Sequence, residues 1–414
     1  MNKKSLTVPA LAVLLLLAGC RTKTGETNSS DQPGDPTAVR VSAADMSASE
    51  PNIASDREGN LYVLYVEHGA DKSADVYLQK FDKEAEPVGE RVRVNPEKGR
   101  AKAWFGDPPT IRVGGDGSIY VGWTAGVESA EKPAANLLFL SVSRDGGKTF
   151  DAPVKVNDDD RPASHGMHSL GIGKDDRIFM AWLDERNIPP EPHGGGNEMN
   201  HEEAEPNSEV FFAFSNDGGR TFSENAKIAG EVCPCCKTNL ALGETGRIYL
   251  SWRQVLPGGF RHIAVASSEN GGESFSAPVI VSDDRWKIDA CPVSGAPMLT
   301  GPGDRLKIFW YAAGEAGPAG LYAAESTDGG RKFSPRSPVY QGEVKGTVSV
   351  FAKNETDLGA VFDGAGKIFQ TGSASDPAEK FAGELPAAVF AGGHIYAAFV
   401  KKEKGKNGVF LARL

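Results

Sequence analysis

The sequence predicts an all-β fold, a β-propeller of four-stranded blades, on three observations. A short apolar strand ending in an aromatic residue returns along the whole chain. A Gly-rich hairpin turn recurs downstream of four of these strands, and no amphipathic helix interrupts the domain. Repetition of this kind decides architecture before any local pattern does, because one repeat cannot bury its own apolar face.

The aromatic-ended strands run Leu61–Tyr65, Ile119–Trp123, Ile178–Trp182 and Ile248–Trp252, with weaker copies at Leu306–Trp310, Leu358–Phe362 and Ile395–Phe399. Each follows a turn such as Gly114-Gly115-Asp116-Gly117, and β-branched or aromatic runs bounded by such turns are strands. Seven such strands predict seven blades, with six as the alternative. Each unit then holds an innermost strand, the aromatic-ended strand, a strand leading into the Gly-rich turn, and an outermost strand. The last unit, from about Ala387 to Leu414, has room for three strands only. Ala38–Ser42 is the segment expected to supply its fourth and close the ring, removing exposed sheet edges.

The hairpin turn is clearest in Ser143-Arg144-Asp145-Gly146-Gly147-Lys148-Thr149-Phe150. Copies follow around Asp217, Asn270 and Asp328, each with the same Gly-Gly pair and closing aromatic. The acidic or amide side chain caps backbone amides, glycine accepts positive φ, and the aromatic plugs the blade. These four segments resemble the Asp-box, or BNR, repeat of sialidase-like propellers. The resemblance implies the fold and assigns Asp145, Asp217, Asn270 and Asp328 a structural role. Sialidases have six blades, so a count of seven departs from it.

The chain opens with Lys3 and Lys4, an apolar run at Leu11–Leu17, and Leu17-Ala18-Gly19-Cys20. That run is too short to span a bilayer as a mature helix and reads as an export signal. Its end resembles the lipobox of bacterial lipoproteins, which implies cleavage after residue 19 and lipidation of Cys20. Arg21 in place of Asp implies the outer membrane of a Gram-negative cell. Residues 21 to 37 are mostly Thr, Ser, Gly, Asp and Pro with almost nothing apolar, the composition of a flexible tether. The expected organisation is therefore signal peptide 1–19, lipidated cysteine and tether 20–37, and propeller 38–414. The net charge of −10 becomes −12 once Lys3 and Lys4 leave, and the absence of basic runs argues against nucleic acid. The lipid anchor is the expected membrane contact; a glycan or an envelope protein is the expected ligand.

In antiparallel blades successive loops alternate between faces. The Gly-rich turns mark one face, so blade connections and the loops between second and third strands share the other. The rare residues concentrate on that second face: His165, Met167 and His168, then Cys233-Pro234-Cys235-Cys236, then Cys291. The long loop from 186 to 207 adds His193, Met199 and His201 among acidic residues, and His68 and His262 lie in comparable loops. Disulfides are one explanation, permitted in an exported protein. Adjacent Cα atoms about 3.8 Å apart disfavour a Cys235–Cys236 bond and favour pairing Cys291 with Cys235 or Cys236. A metal site is the other explanation: thiolate, imidazole and thioether suit copper(I), and thiolate with imidazole suits zinc.

The resemblance to sialidases also implies a glycoside hydrolase, with three arginines clamping a carboxylate, a Tyr/Glu nucleophile pair and an Asp acid. Asp184, Arg186, Arg253, Arg261 and Tyr311 are the candidates on the second face, and Trp104, Phe105 and Trp286 are placed to stack on a sugar. The family's Arg-Ile-Pro motif is missing, because the corresponding stretch reads Ser49-Glu50-Pro51-Asn52-Ile53-Ala54. No Gly-x-Ser-x-Gly elbow, phosphate loop or dinucleotide fingerprint is present. The sequence thus favours a cell-envelope lipoprotein whose propeller binds a ligand at a Cys/His-rich face. A glycan hydrolase and a protein-interaction scaffold stand as alternatives.

Overall fold

The computed structural model describes residues 38–127, 135–188, 207–287, 292–372 and 376–414. The signal, Cys20 and the tether lie outside these residues, as do His193, Met199, His201 and Cys291. Among the described residues the regular secondary structure is all strand apart from one 3-10 turn at Pro302–Asp304.

The strands form six antiparallel sheets, four with four strands, one with five and one with eight. The eight-stranded sheet is two consecutive four-strand sets joined by the single pair Val232–Gln254. In the five-stranded sheet Ala101–Lys102 and Thr110–Val113 divide the innermost position, both pairing with Ile119–Gly126. Apart from these, strands that follow one another in the chain pair as hairpins, with one further exception. Val39–Arg40 pairs with Lys406–Arg413, so the segment expected to complete the last unit does so from the other end of the chain.

Register fixes which residues share a face. Val113 pairs with Ile119 and Ile119 with Ser143, so the Gly114–Ser118 turn and the Ser143–Phe150 turn lie at one end of their sheet. Trp104, the connection before Thr110 and the Gly126–Asn136 end lie at the opposite end. The same logic puts Asp184, paired with Glu209, and Arg261, paired with Val255, away from the Gly-rich turns.

Apolar residues bury between neighbouring sheets. Leu138 and Leu140 of one sheet pack with Ile178, Met180 and Trp182 of the next. Trp182, Trp252 and Trp310, the ends of three aromatic strands, are fully buried. Each large apolar side chain removed from water contributes about 1.5–3 kcal/mol. The indole N–H of each buried tryptophan must also find an acceptor. Trp123 donates to Ser141 Oγ at 2.9 Å, Trp182 to Asp184 Oδ2 at 2.7 Å, Trp252 to Gln254 Oε1 at 2.7 Å and Trp310 to Asp284 Oδ2 at 2.8 Å.

The Gly-rich turns are built as expected. Asp145 Oδ1 accepts the Lys148 and Thr149 amides, each at 3.0 Å, and Asp145 Oδ2 accepts the Thr149 hydroxyl at 2.6 Å. Asp217 and Asp328 accept the equivalent amides, and Asn270 accepts the Ser274 amide. The Thr149 hydroxyl and amide hold the Asp145 carboxyl down at about 2. Ser143 Oγ, fully buried, accepts the Gly147 amide at 2.9 Å. Gly219 has φ +84, and a Cβ there would lie 2.7 Å from Leu140 Cδ2 of the neighbouring sheet. The second glycine therefore lets this turn close onto the sheet before it.

Replacing Ser143 by Ala leaves the buried Gly147 amide without its acceptor and is expected to cost about 1–3 kcal/mol, measured by urea denaturation. The depressed Asp145 pKa has a definite sign. Its contribution to stability is present above the ordinary carboxylate range and is lost as pH falls toward 2.

Candidate functional site

The innermost strands surround a cavity of ≈ 380 Å³. Its wall includes Asn52, Arg112, Ser169, Lys237, Asn239 and Ser349. These belong to or adjoin strands from different sheets, so the cavity exists only when the sheets are assembled around it. Its polar wall holds two cations. Arg112 is solvent-exposed within the cavity and donates to the Ile111 carbonyl at 2.8 Å. Lys237 is buried, and its Nζ donates to the Pro108 carbonyl at 3.1 Å. Burial pushes the Lys237 ammonium down to about 8, against the opposing pull of Asp107.

The 104–110 connection ties this cavity to the outer face. Trp104 and Phe105 are exposed, 40% and 42%, and their rings meet edge to face at 5.1 Å. Behind them the Asp107 amide donates to the Trp104 carbonyl at 2.8 Å, and the buried Asp107 carboxylate lies 3.2 Å from His168 Nδ1. Asn52 Nδ2 donates to the Pro109 carbonyl at 3.0 Å. A Cβ on Gly346 would lie 4.0 Å from Phe105 Cδ2, which seats the aromatic pair beside the innermost strand Lys345–Ala352. Burial and the Lys237 charge lower the His168 pKa, and neither of its ring nitrogens completes a hydrogen bond.

Asp184 and Arg186, both catalytic candidates, are engaged in holding the blade. Asp184 is fully buried. Its carboxylate accepts the Trp182 indole, the Arg186 amide at 2.8 Å and the Arg186 Nη2 at 2.8 Å. Arg186 also donates to Asp158 at 2.6 Å and to Asn225 at 2.9 Å, and its guanidinium lies 4.4 Å from the Phe211 ring centroid. Burial alone would lower its pKa, but the Asp184 and Asp158 bonds raise it. His165 belongs to the same cluster: Nδ1 faces the Asn136 carbonyl at 2.6 Å, and Nε2 lies 2.9 Å from Asp159.

The cysteines do come together. Cys233, Cys235 and Cys236 place their sulfurs within 4.8 Å of one another in the connection between two four-strand sets. His165 and His168 do not join them; among the described residues the cluster is sulfur alone. Cys235 is disulfide-bonded, which leaves Cys233 and Cys236 as buried thiols and takes one sulfur away from any three-thiolate metal site. Among the described residues, no imidazole stands with the sulfurs to make the mixed set that copper or zinc would use.

Arg253 and Arg261 border this cluster. Arg261 Nη1 donates to Cys233 Sγ at 3.0 Å. Arg253 is fully buried, 5.0 Å from the Trp286 ring centroid, and donates to the Tyr311 carbonyl at 3.1 Å. Tyr311 packs its ring edge-on against Trp286 at 5.7 Å, and burial raises its pKa. Trp286 is 8% exposed, so the sugar-stacking role expected for it is overturned: it lies under Arg253 and Tyr311. Trp104 and Phe105 keep the exposure that stacking needs.

The sequence singles out His168 but does not group it with Asp107 and Lys237, which are far apart in the chain. The one usable signal was that Asp107 and Lys237 both stand where a connection turns into an innermost strand.

No family model matches the chain, and no curated protein matches it. Solved structures do. A protein of unknown function from Dyadobacter fermentans is 14% identical, with 92% of this chain and 100% of that chain covered and a TM-score of 0.51. A Hadza microbial sialidase is 16% identical over 77% of this chain and 63% of its own, with a TM-score of 0.51. An ulvan lyase of polysaccharide lyase family PL25 is 12% identical over 89% of this chain and 94% of that chain, with a TM-score of 0.54. At these identities the chain shares a fold with sialidases and polysaccharide lyases.

Asp184→Ala would leave the Trp182 indole and the Arg186 guanidinium without their main acceptor. The expected loss is about 3–5 kcal/mol of stability, read by thermal or urea unfolding, whatever the chain's activity.

Proposed function

We propose that this chain is a cell-envelope lipoprotein whose seven-bladed, sialidase-like propeller binds an acidic carbohydrate at the mouth of its central cavity. Seven follows from counting each half of the eight-stranded sheet as a blade, and Val39–Arg40 would close the ring. The four Gly-rich turns are then Asp boxes, as in the fold's sialidase members. The observation that carries the ligand class is the exposed Trp104–Phe105 pair beside a cavity holding Lys237 and Arg112. Aromatic faces stack on the apolar face of a sugar ring, and the two cations favour a carboxylate over a neutral hydroxyl.

Binding is favoured over a sialidase-type hydrolysis, which would need three arginines to clamp a carboxylate. Arg186 is taken up by Asp184 and Asp158, and Arg253 lies buried against Trp286. Asn52 lines the cavity in the stretch where the sialidase motif carries arginine. An acidic ligand also agrees with the ulvan lyase, whose solved complex holds a glucuronate-containing saccharide.

Calorimetric titration of the soluble domain with sialylated, uronate-containing and neutral oligosaccharides tests this reading. Trp104→Ala is expected to weaken acidic ligands roughly tenfold, about 1.4 kcal/mol. Lys237→Met is expected to weaken acidic ligands and spare neutral ones. The Lys237 charge is present below about pH 8 and fades above it, so affinity for acidic ligands should fall between pH 7 and 9. No binding to any of these glycans at millimolar concentration, or equal binding by the Trp104 variant, would overturn the proposal. Cys20→Ser should move the full-length protein from the detergent phase to the aqueous phase on Triton X-114 partition; unchanged partition would remove the lipid anchor.

A further inference from the structure

The Cys233-Pro234-Cys235-Cys236 connection has no part in carbohydrate binding, yet it is chemically the most unusual place in the molecule. Cys233 Sγ lies 3.6 Å from Cys235 Sγ and 3.8 Å from Cys236 Sγ. Cys235 is held in a disulfide and is partly exposed, whereas Cys233 and Cys236 are fully buried thiols. One nucleophilic sulfur therefore stands next to both a disulfide and a second thiol. Thiol–disulfide exchange needs that arrangement: an attacking group, a bond to attack and a group to resolve the intermediate.

Two arginines give the site its charge. Arg261 Nη1 donates to Cys233 Sγ at 3.0 Å. Arg253 is fully buried, its charge acts to lower the pKa of both Cys233 and Cys236, and its Nε and Nη1 have no hydrogen-bond partner. A buried guanidinium with two unmatched N–H groups is costly unless an anion forms beside it, and a thiolate is the anion within reach. The neighbouring Cys236 thiol, then Arg261 and Arg253, hold the Cys233 thiol down at about 6 despite its burial. Cys236 is pushed in the opposite direction, by Cys233 and by burial. The pair is thus divided into a nucleophile and a resolving thiol.

We propose that Cys233, Cys235 and Cys236 form a thiol–disulfide exchange site in which the buried Cys233/Cys236 dithiol delivers two electrons to the disulfide that holds Cys235. The Cys233 thiolate attacks Cys235 Sγ. A Cys233–Cys235 bond forms, the existing bond to Cys235 breaks, and its former partner leaves as a thiolate and takes up a proton. The Cys236 thiolate then attacks Cys233 Sγ, forming Cys233–Cys236 and releasing Cys235 as a thiolate, which is protonated in turn. One S–S bond is broken and one is formed, two thiols are consumed and two released, and this internal exchange needs no outside oxidant. Its effect is to move reducing equivalents from a closed store to a sulfur that meets solvent. There the co-reactant is a disulfide, on a small molecule or on another protein of the same compartment. This assignment is independent of carbohydrate binding.

The test uses the folded protein with oxidised glutathione, followed by acid quench, alkylation and mass-spectrometric mapping of the cysteine pairs. The wild type is expected to release two equivalents of glutathione per chain and to finish with Cys233 bonded to Cys236. Cys236→Ser is expected to stop at a Cys233–Cys235 bond. Arg261→Ala should slow glutathione release about tenfold at pH 7 while leaving the same final pairing, since less Cys233 is then thiolate. Three results would overturn the proposal. The first is persistence of the Cys233 and Cys236 thiols in folded wild-type protein. The second is direct glutathionylation of Cys233 without a Cys233–Cys235 bond in the Cys236 variant. The third is stoichiometric zinc or copper held by the purified protein and lost on Cys233→Ser.

Discussion

A tryptophan buried at the end of a second strand carries an indole N–H into a place water cannot reach, and much of this structure is the answer to that demand. Each of the four has a different acceptor: Ser141, Asp184, Gln254 and Asp284. Where the acceptor is an aspartate, the buried charge calls in a counter-ion. Asp184 recruits Arg186, and Asp284 recruits Arg336, whose guanidinium lies 4.1 Å from the Tyr322 ring centroid. A tryptophan chosen for its apolar area thus draws a carboxylate inward, and the carboxylate draws an arginine.

This chain of dependence explains why Asp184 and Arg186, and Asp284 and Arg336, crowd together in the interior. Their partners are already assigned within the blades. The groups left for chemistry are those the tryptophans do not use: the Trp104–Phe105 pair, the cavity cations and the sulfur cluster. Arg253 belongs with the last of these, because two of its nitrogens find no oxygen acceptor.

The repeats were legible in the sequence because a hairpin turn has strict local chemistry. A serine, an acidic or amide residue and two glycines must stand at fixed offsets, and they do so around Asp145, Asp217, Asn270 and Asp328. The role of Val39–Arg40 was legible too, since the last unit lacked a strand. What depended on packing was not. Trp286 and Trp104 look alike in sequence, yet one lies beneath an arginine and the other faces solvent. His165 and His168 looked like partners of the cysteines, but Asn136, Asp159 and Asp107 surround them instead. The residue types that cluster on a face were readable; which neighbour each one meets depends on how the sheets stack.

The pairing of Val39 with Leu411 joins residues at nearly opposite ends of the described chain. Every other strand finds its partners within its own or an adjoining hairpin, so those contacts are local and quick to form. The terminal pair must wait for the whole polypeptide and carries almost the full loop-closure entropy of the chain. A nascent or partly translocated chain therefore stays open along its first and last sheets, with their backbone edges unpaired. Loss of Val39–Arg40, or of the strand Lys406–Arg413 that it pairs with, would expose a backbone edge on the last sheet.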